Sequence, residues 1–274
     1  NNARNVNVHD LNISGYADNG IYAASSTLAD LTNIAATGGE GGVYLNGSPA
    51  GTVSGCTFNN NATYGLRVNG CTVGDITGNT ISGVKASTQG LYITDDAITG
   101  AISANTISNC YIALYPRSST MGAISSNAFT NNGDAIYLAN DSVANGSITA
   151  NVIDTFDEVA IQLYTQCKVN GNIDNNVIRN GKGTGILLTG PTDDKGGSPT
   201  TGSVVTGNIQ SNTITNCTGD GIGVYHASYC QAITGNVLDT IGGNHNGNEG
   251  DYGIIVDSMM KANTYCSEIS YNSI

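Results

Sequence analysis

Apolar and polar positions along this chain follow two short templates that alternate from near the first residue to the last. In one, apolar residues flank an asparagine, as in Ile76-Thr-Gly-Asn79-Thr-Ile81, Ile102-Ser-Ala-Asn105-Thr-Ile107, Ile124-Ser-Ser-Asn127-Ala-Phe129 and Ile148-Thr-Ala-Asn151-Val-Ile153. The frame returns around Asn176, Asn212, Asn236 and Asn272. Three degenerate copies carry Leu11, Leu31 and Cys56 in the asparagine position. In the other template a small residue precedes apolar positions of period two, as in Gly42-Val-Tyr-Leu45, Gly65-Leu-Arg-Val68, Gly90-Leu-Tyr-Ile93, Ala135-Ile-Tyr-Leu138 and Gly185-Ile-Leu-Leu188. Runs of that period, rich in Ile, Val and Tyr and bounded by Gly, Asn and Ser, predict short strands and not helices.

The differences between successive anchor positions are 20, 25, 23, 26, 22, 24, 25, 36, 24 and 36 residues. A period in the twenties with irregular insertions marks a repeat protein. Each repeat is expected to hold about three short strands, too short to bury a face alone but able to stack on the next repeat with equivalent residues about 4.8 Å apart. At that distance the anchor amides bond to one another up the stack, since each carries donors and an acceptor. Asparagine also tolerates the left-handed backbone of a sharp turn, which gives a second reason to expect it at the corner.

The Ile-x-x-Asn-x-Ile turn alternating with the Gly-Ile-x-Leu strand resembles the right-handed parallel β-helix repeat of the pectate-lyase-like superfamily, from about Val6 to Ile274. The resemblance implies an all-β, single-stranded right-handed parallel β-helix of about ten coils with an internal Asn ladder. It implies no single activity, because that superfamily includes lyases, hydrolases, epimerases, phage spikes, adhesins and binding proteins.

Composition agrees with a cylinder of tight turns: 37 Gly, only 4 Pro, no Trp and 11% charged residues. The unbroken period makes residues 1–274 one domain with a continuous interior. The pattern is already running at Asn1 and still running at Ile274, so a mature fragment or a module of something larger is expected. Its stack ends would then be covered by flanking sequence or by end-to-end self-association. No apolar run approaches membrane-spanning length, so no membrane insertion is expected. The net charge of −12 is dispersed, which argues against a nucleic-acid partner and its basic stripe. The Asn, Ser, Thr and Gly content suggests an extracellular or cell-surface location.

The seven cysteines show no metal-ligand spacing. Cys110 and Cys217 lie five residues past an anchor, where other repeats have Phe156 and Ile241, and are expected to face inward as small hydrophobes. Cys230 and Cys266 each lie six residues before an anchor in consecutive repeats, which places a disulfide within reach but does not require one.

Two surface features carry candidate chemistry. If Ile and Leu of the strand template point inward, the positions between them point out. Those positions are Tyr22, Tyr44, Arg67, Tyr92, Ala113, Tyr137, Gln162, Leu187, Gly223 and Ile255, with Tyr115, Tyr164 and Tyr225 two residues further along their strands. Tyrosine rings with a hydroxyl tip suit sugars. They also suit a sheet stabilised by its own stacked rings. The expected substrate-binding set is Tyr44, Arg67, Tyr92, Tyr115, Arg117, Tyr137 and Tyr164.

The second feature is late in the chain. The insertion from Pro191 to Pro199 and that from Ile241 to Asp251 flank one sheet face near Tyr225 and His226, with His245 in the second insertion. Tyr225, His226, Asp251 and Asp257 are the expected acid–base set. Asp220, Glu249, Asp251 and Asp257 are the expected oxygen ligands of a calcium ion.

Lyases of the resembling superfamily often use an outward Arg or Lys beside calcium-binding aspartates. Arg67 and Arg117 lack such a dense acidic neighbourhood, although Asp95 and Asp96 lie one repeat from Arg117. The paired-aspartate and Gly-His-Gly pattern of polygalacturonase-like hydrolases is missing, as are Gly-Xaa-Ser-Xaa-Gly, His-Glu-x-x-His and phosphate-loop patterns. The expectation is a β-helix that engages a polysaccharide along its tyrosine face, with lyase-like, epimerase-like or glycoside hydrolase-like activity left open. The alternative is a non-catalytic structural module: an adhesin stalk, surface-layer unit or phage spike segment.

Overall fold

The computed structural model describes residues 4–190, 202–242, 251–257 and 264–274. Ten parallel strands form one sheet strictly in chain order, from Asn19–Ala24 and Gly41–Asn46 through Gln89–Thr94 and Asp134–Ala139 to Ile254–Asp257. A 25-stranded sheet forms the remaining walls. Each strand pairs with its equivalent one repeat away, so the chain is a parallel β-solenoid, with no helix among the described residues.

One regular coil carries Tyr64–Asn69, Thr72–Val73, Ile76–Thr77 and Thr80–Ser82. That is one more segment than expected, because the corner at Gly78–Asn79 splits the anchor frame into two strands. Inside, register stacks like on like. Ile76, Ile102, Ile124, Ile148, Ile173, Ile209 and Ile233 form a single column without solvent contact. The chain's only three phenylalanines, Phe58, Phe129 and Phe156, are all interior.

The asparagine ladder is continuous. Nδ2 of Asn79 donates to Oδ1 of Asn105 at 2.9 Å, and the step repeats through Asn127, Asn151, Asn176, Asn212 and Asn236 to Asn272 at 2.9–3.0 Å. Each carbonyl also accepts the backbone N–H of the preceding anchor, and each amide also donates to a backbone carbonyl, of Val53 for Asn79 at 3.0 Å and of an isoleucine for the rest, as Asn127 does to Ile102 at 2.9 Å. The buried amide is therefore fully used, which is what makes it tolerable in an apolar interior.

One expectation is corrected. The left-handed residue of this corner is not the asparagine but the one before it: Gly78, Ala104, Ser126, Ala150, Asn175, Ser211 and Gly235, all with φ between 54° and 64°. Asparagine is selected for the ladder alone, and the strain falls on its neighbour.

A second internal ladder lies at the corner that follows the ten-stranded sheet. Ser48, Ser119, Ser142, Ser203 and Ser228 are buried there, and Oγ of Ser228 accepts the N–H of Ser203 at 3.0 Å. Cys71 and Cys167 are also buried, each in the turn after its strand, and Cys110 and Cys217 are interior as expected. Cys230 and Cys266 are register partners on adjacent strands and are free thiols. Hydrogen bonding from the Cys230 thiol lowers the Cys266 thiol below its usual range.

Candidate functional site

The outer face of the ten-stranded sheet carries a column set by strand register. Tyr22 pairs with Tyr44, Tyr44 with Arg67, Arg67 with Tyr92 and Tyr92 with Tyr115. Beyond Tyr137 the column continues as Gln162, Leu187, Gly223 and Ile255. Ala113 was expected in this column and is instead fully buried. In that strand the small residue follows Ile112, so Leu114 aligns with Leu91 and Tyr115 takes the outward place. Tyr164 and Tyr225 lie one column over, in register with Thr189 and Asp257 respectively. Arg117 is in that same second column, beside Thr94 and Ala139, and is exposed.

The rings face one another. Tyr92 and Tyr115 stack at 5.3 Å with 9° between planes, and Tyr115–Tyr137 and Tyr22–Tyr44 are tilted pairs at 5.3 Å. Tyr137 and Tyr164 meet edge to face at 6.2 Å. Rings stacked this way give their faces to each other and turn edges and hydroxyls outward. Only Tyr22, at the end of the column and 56% exposed, leaves much of its ring open.

Arg67 stands where a tyrosine would. Its guanidinium lies 4.7 Å from the Tyr44 centroid, 5.2 Å from Tyr92 and 5.9 Å from Tyr64. Such contacts contribute about 0.5–2 kcal/mol each. Its Nε is sealed from solvent with no partner, and Nη2 reaches Oδ1 of Asn69 at only 3.4 Å. Beside this end of the column lies an open cavity of about 590 Å³, lined by Tyr22, Tyr44, Tyr64 and Arg67 together with Asp18 and Glu40.

The late cluster is partly assembled. The Tyr225 hydroxyl donates to Oδ2 of Asp220 at 2.7 Å, and Oδ1 of Asp220 accepts the N–H of Tyr252 at 2.8 Å. Burial first, and then the Asp220 contact, raise the Tyr225 phenol above its usual range. The His226 ring lies 6.1 Å from Tyr225, with Nδ1 at 2.8 Å from the Thr189 hydroxyl and a left-handed backbone at φ 50°. Asp257 is the register partner of Tyr225, whereas Asp251 lies against Gly242. His245, Glu249 and the Pro191–Pro199 insertion lie outside the described residues. Among the described residues no three His, Cys, Asp or Glu side chains converge as a metal site. Of the expected calcium ligands, Asp220 already uses both carboxylate oxygens within the protein.

One group escaped the sequence reading. Asp134, 6% exposed, lies on the tyrosine face and accepts the Val159 N–H at 3.0 Å. Burial raises its carboxyl to about 7, with nearby Glu158 adding to the effect. Asp220 makes the same bond to the next coil through Tyr252. A carboxylate immediately before a Gly/Ala-Ile strand, the place Asp220 also holds, is the signal that would have found Asp134.

A solenoid of parallel strands with a buried asparagine ladder is a β-helix repeat protein. The right-handed β-helix region family matches residues 41–195 and 101–269, and the chain belongs to that family. Comparison with curated proteins and with solved structures gave no match.

Proposed function

We propose that the protein works outside the cell by binding a polysaccharide laid along the stack axis over the tyrosine column, without acting on it chemically. The observation that carries this reading is the run Tyr22, Tyr44, Arg67, Tyr92, Tyr115, Tyr137 on consecutive coils. It repeats an outward polar edge about every 4.8 Å. That spacing is close to the length of one sugar ring, so groups on successive coils meet successive sugars, with the Arg67 guanidinium taking the place of a hydroxyl on the third. Recognition is by hydrogen bonds to phenol edges, because the ring faces are occupied by their neighbours.

A binding screen over neutral and acidic polysaccharides, with absorbance monitored for unsaturated products, tests this. The expected result is saturable binding without product. The Tyr92→Ala/Tyr137→Ala double variant should bind at least about tenfold more weakly, with Tm changed by only a few degrees.

The same stacking favours a second reading, a non-catalytic structural module whose rings serve only the sheet. No binding to any glycan, with a Tm loss of about 8 °C or more in the double variant, would establish that reading instead.

A further inference from the structure

The cavity at the Tyr22 end of the column has an electrostatic polarity that a neutral glycan does not use. Asp18 precedes the first strand of the sheet, Glu40 the second, and Arg67 lies in the third. Arg67 lies one coil from Glu40 and two from Asp18 along the stack, and four register places past both along the strand, so the acidic and basic poles sit at opposite ends of the cavity that all three line. Among the described residues none of the three forms an ion pair. Both poles act on one side chain between them: the Tyr64 phenol is raised chiefly by burial, with Arg67 lowering it and Glu40 raising it.

Ligand classes separate on this arrangement. A purely anionic ligand attracted to Arg67 also meets Asp18 and Glu40. A simple cation drawn to the carboxylates meets Arg67, which already holds one face of Tyr44. A neutral sugar leaves all three charges unpaired. A ligand carrying both charges satisfies both poles. The open ring of Tyr22 adds a cation–π surface on the acidic side. The guanidinium, with Tyr44 and Tyr92 over it and Nε sealed from solvent, has only its Nη N–H groups to offer an anion.

We propose that this cavity binds a zwitterion of the phosphocholine type, with its ammonium between Tyr22, Asp18 and Glu40 and its phosphate on the edge of Arg67. The site does not depend on the polysaccharide reading, because a small soluble headgroup can bind whether or not a glycan does.

Calorimetric titration of the whole chain with phosphocholine, choline and inorganic phosphate tests it. Saturable phosphocholine binding is expected, with choline and phosphate each at least about tenfold weaker. The Asp18→Asn/Glu40→Gln variant changes two exposed side chains and spares the fold. It should lose at least about tenfold in phosphocholine affinity. Arg67→Gln should bring phosphocholine down to the level of choline. Binding to phosphatidylcholine vesicles that phosphocholine competes away would support the same site with a lipid as its source. The proposal is overturned by absence of saturable phosphocholine binding, by choline or phosphate binding equally well, or by unchanged affinity in the Asp18/Glu40 variant.

Discussion

Asp134 keeps its carboxyl on the tyrosine face at the cost of its charge. Its folded-state pKa of about 7 lies above the ordinary value of 3.8, so ionisation is disfavoured in the folded protein. The sign of the effect on stability follows. Below about pH 4 the group is protonated in both states and contributes nothing. Between about pH 4 and 7 the unfolded chain loses its proton first, so stability falls as pH rises. Above about pH 7 the penalty is constant, at no more than about 4 kcal/mol. Asp134→Asn keeps an acceptor for the Val159 N–H and removes the charge. We expect its Tm to exceed that of the wild type at pH 8 and to converge with it at pH 4. Paired thermal melts across this range check the prediction, and parallel profiles would refute it. Comparing the two proteins cancels the opposite contribution of Asp154 and Asp157, whose pKa values are lowered mainly by hydrogen bonds from Asn180 and Lys85 respectively.

At the scale of the turn and strand, the anchor frame divides two tasks between neighbours. Asn151 accepts from the N–H and the amide of Asn127 and donates to Ile124 and Asn176. Asn151→Ala strands several buried groups at about 1–3 kcal/mol each, so a loss of at least about 3 kcal/mol is expected. The adjacent Ala150→Gly substitution, at φ 54°, should instead preserve or raise stability by up to about 1 kcal/mol. Denaturant melts of the two variants should move in opposite senses.

The frame and ladder were legible because both leave a residue type at a fixed spacing. The position of the strain was not, since Gly78, Ala104, Ser126 and Asn175 share no chemistry, only a backbone angle. Nor was the serine ladder, whose members interchange with Cys71, Ala97 and Cys167 wherever a small buried side chain is enough. Tyr115 was misaligned for a related reason: Ala113 and the glycines fill one register place, and a single shifted small residue moves the whole strand reading. The tyrosine column itself was visible in the alternation. That its rings would turn their faces to one another, and that Arg67 would be enclosed by three of them, depends on side-chain directions that spacing alone does not encode.

Across the molecule, each inner coil rests on the one before it and supports the one after it, and from Asn79 onward the ladder joins them by the same bond at each step. Removing residues 106–127 would join Asn105 directly to Ala128 and recreate Ile-Ser-Ala-Asn-Ala-Phe, an intact copy of the frame. Asn105 would then meet Asn151. We expect that shortened chain to keep its β-sheet circular dichroism and to melt only a few degrees lower, whereas a deletion of ten residues from the same stretch should abolish folding. Length is thereby uncoupled from fold. Unequal recombination between neighbouring frames would hand descendants longer or shorter cylinders in whole turns, with the architecture inherited intact and only the length of the tyrosine face changed.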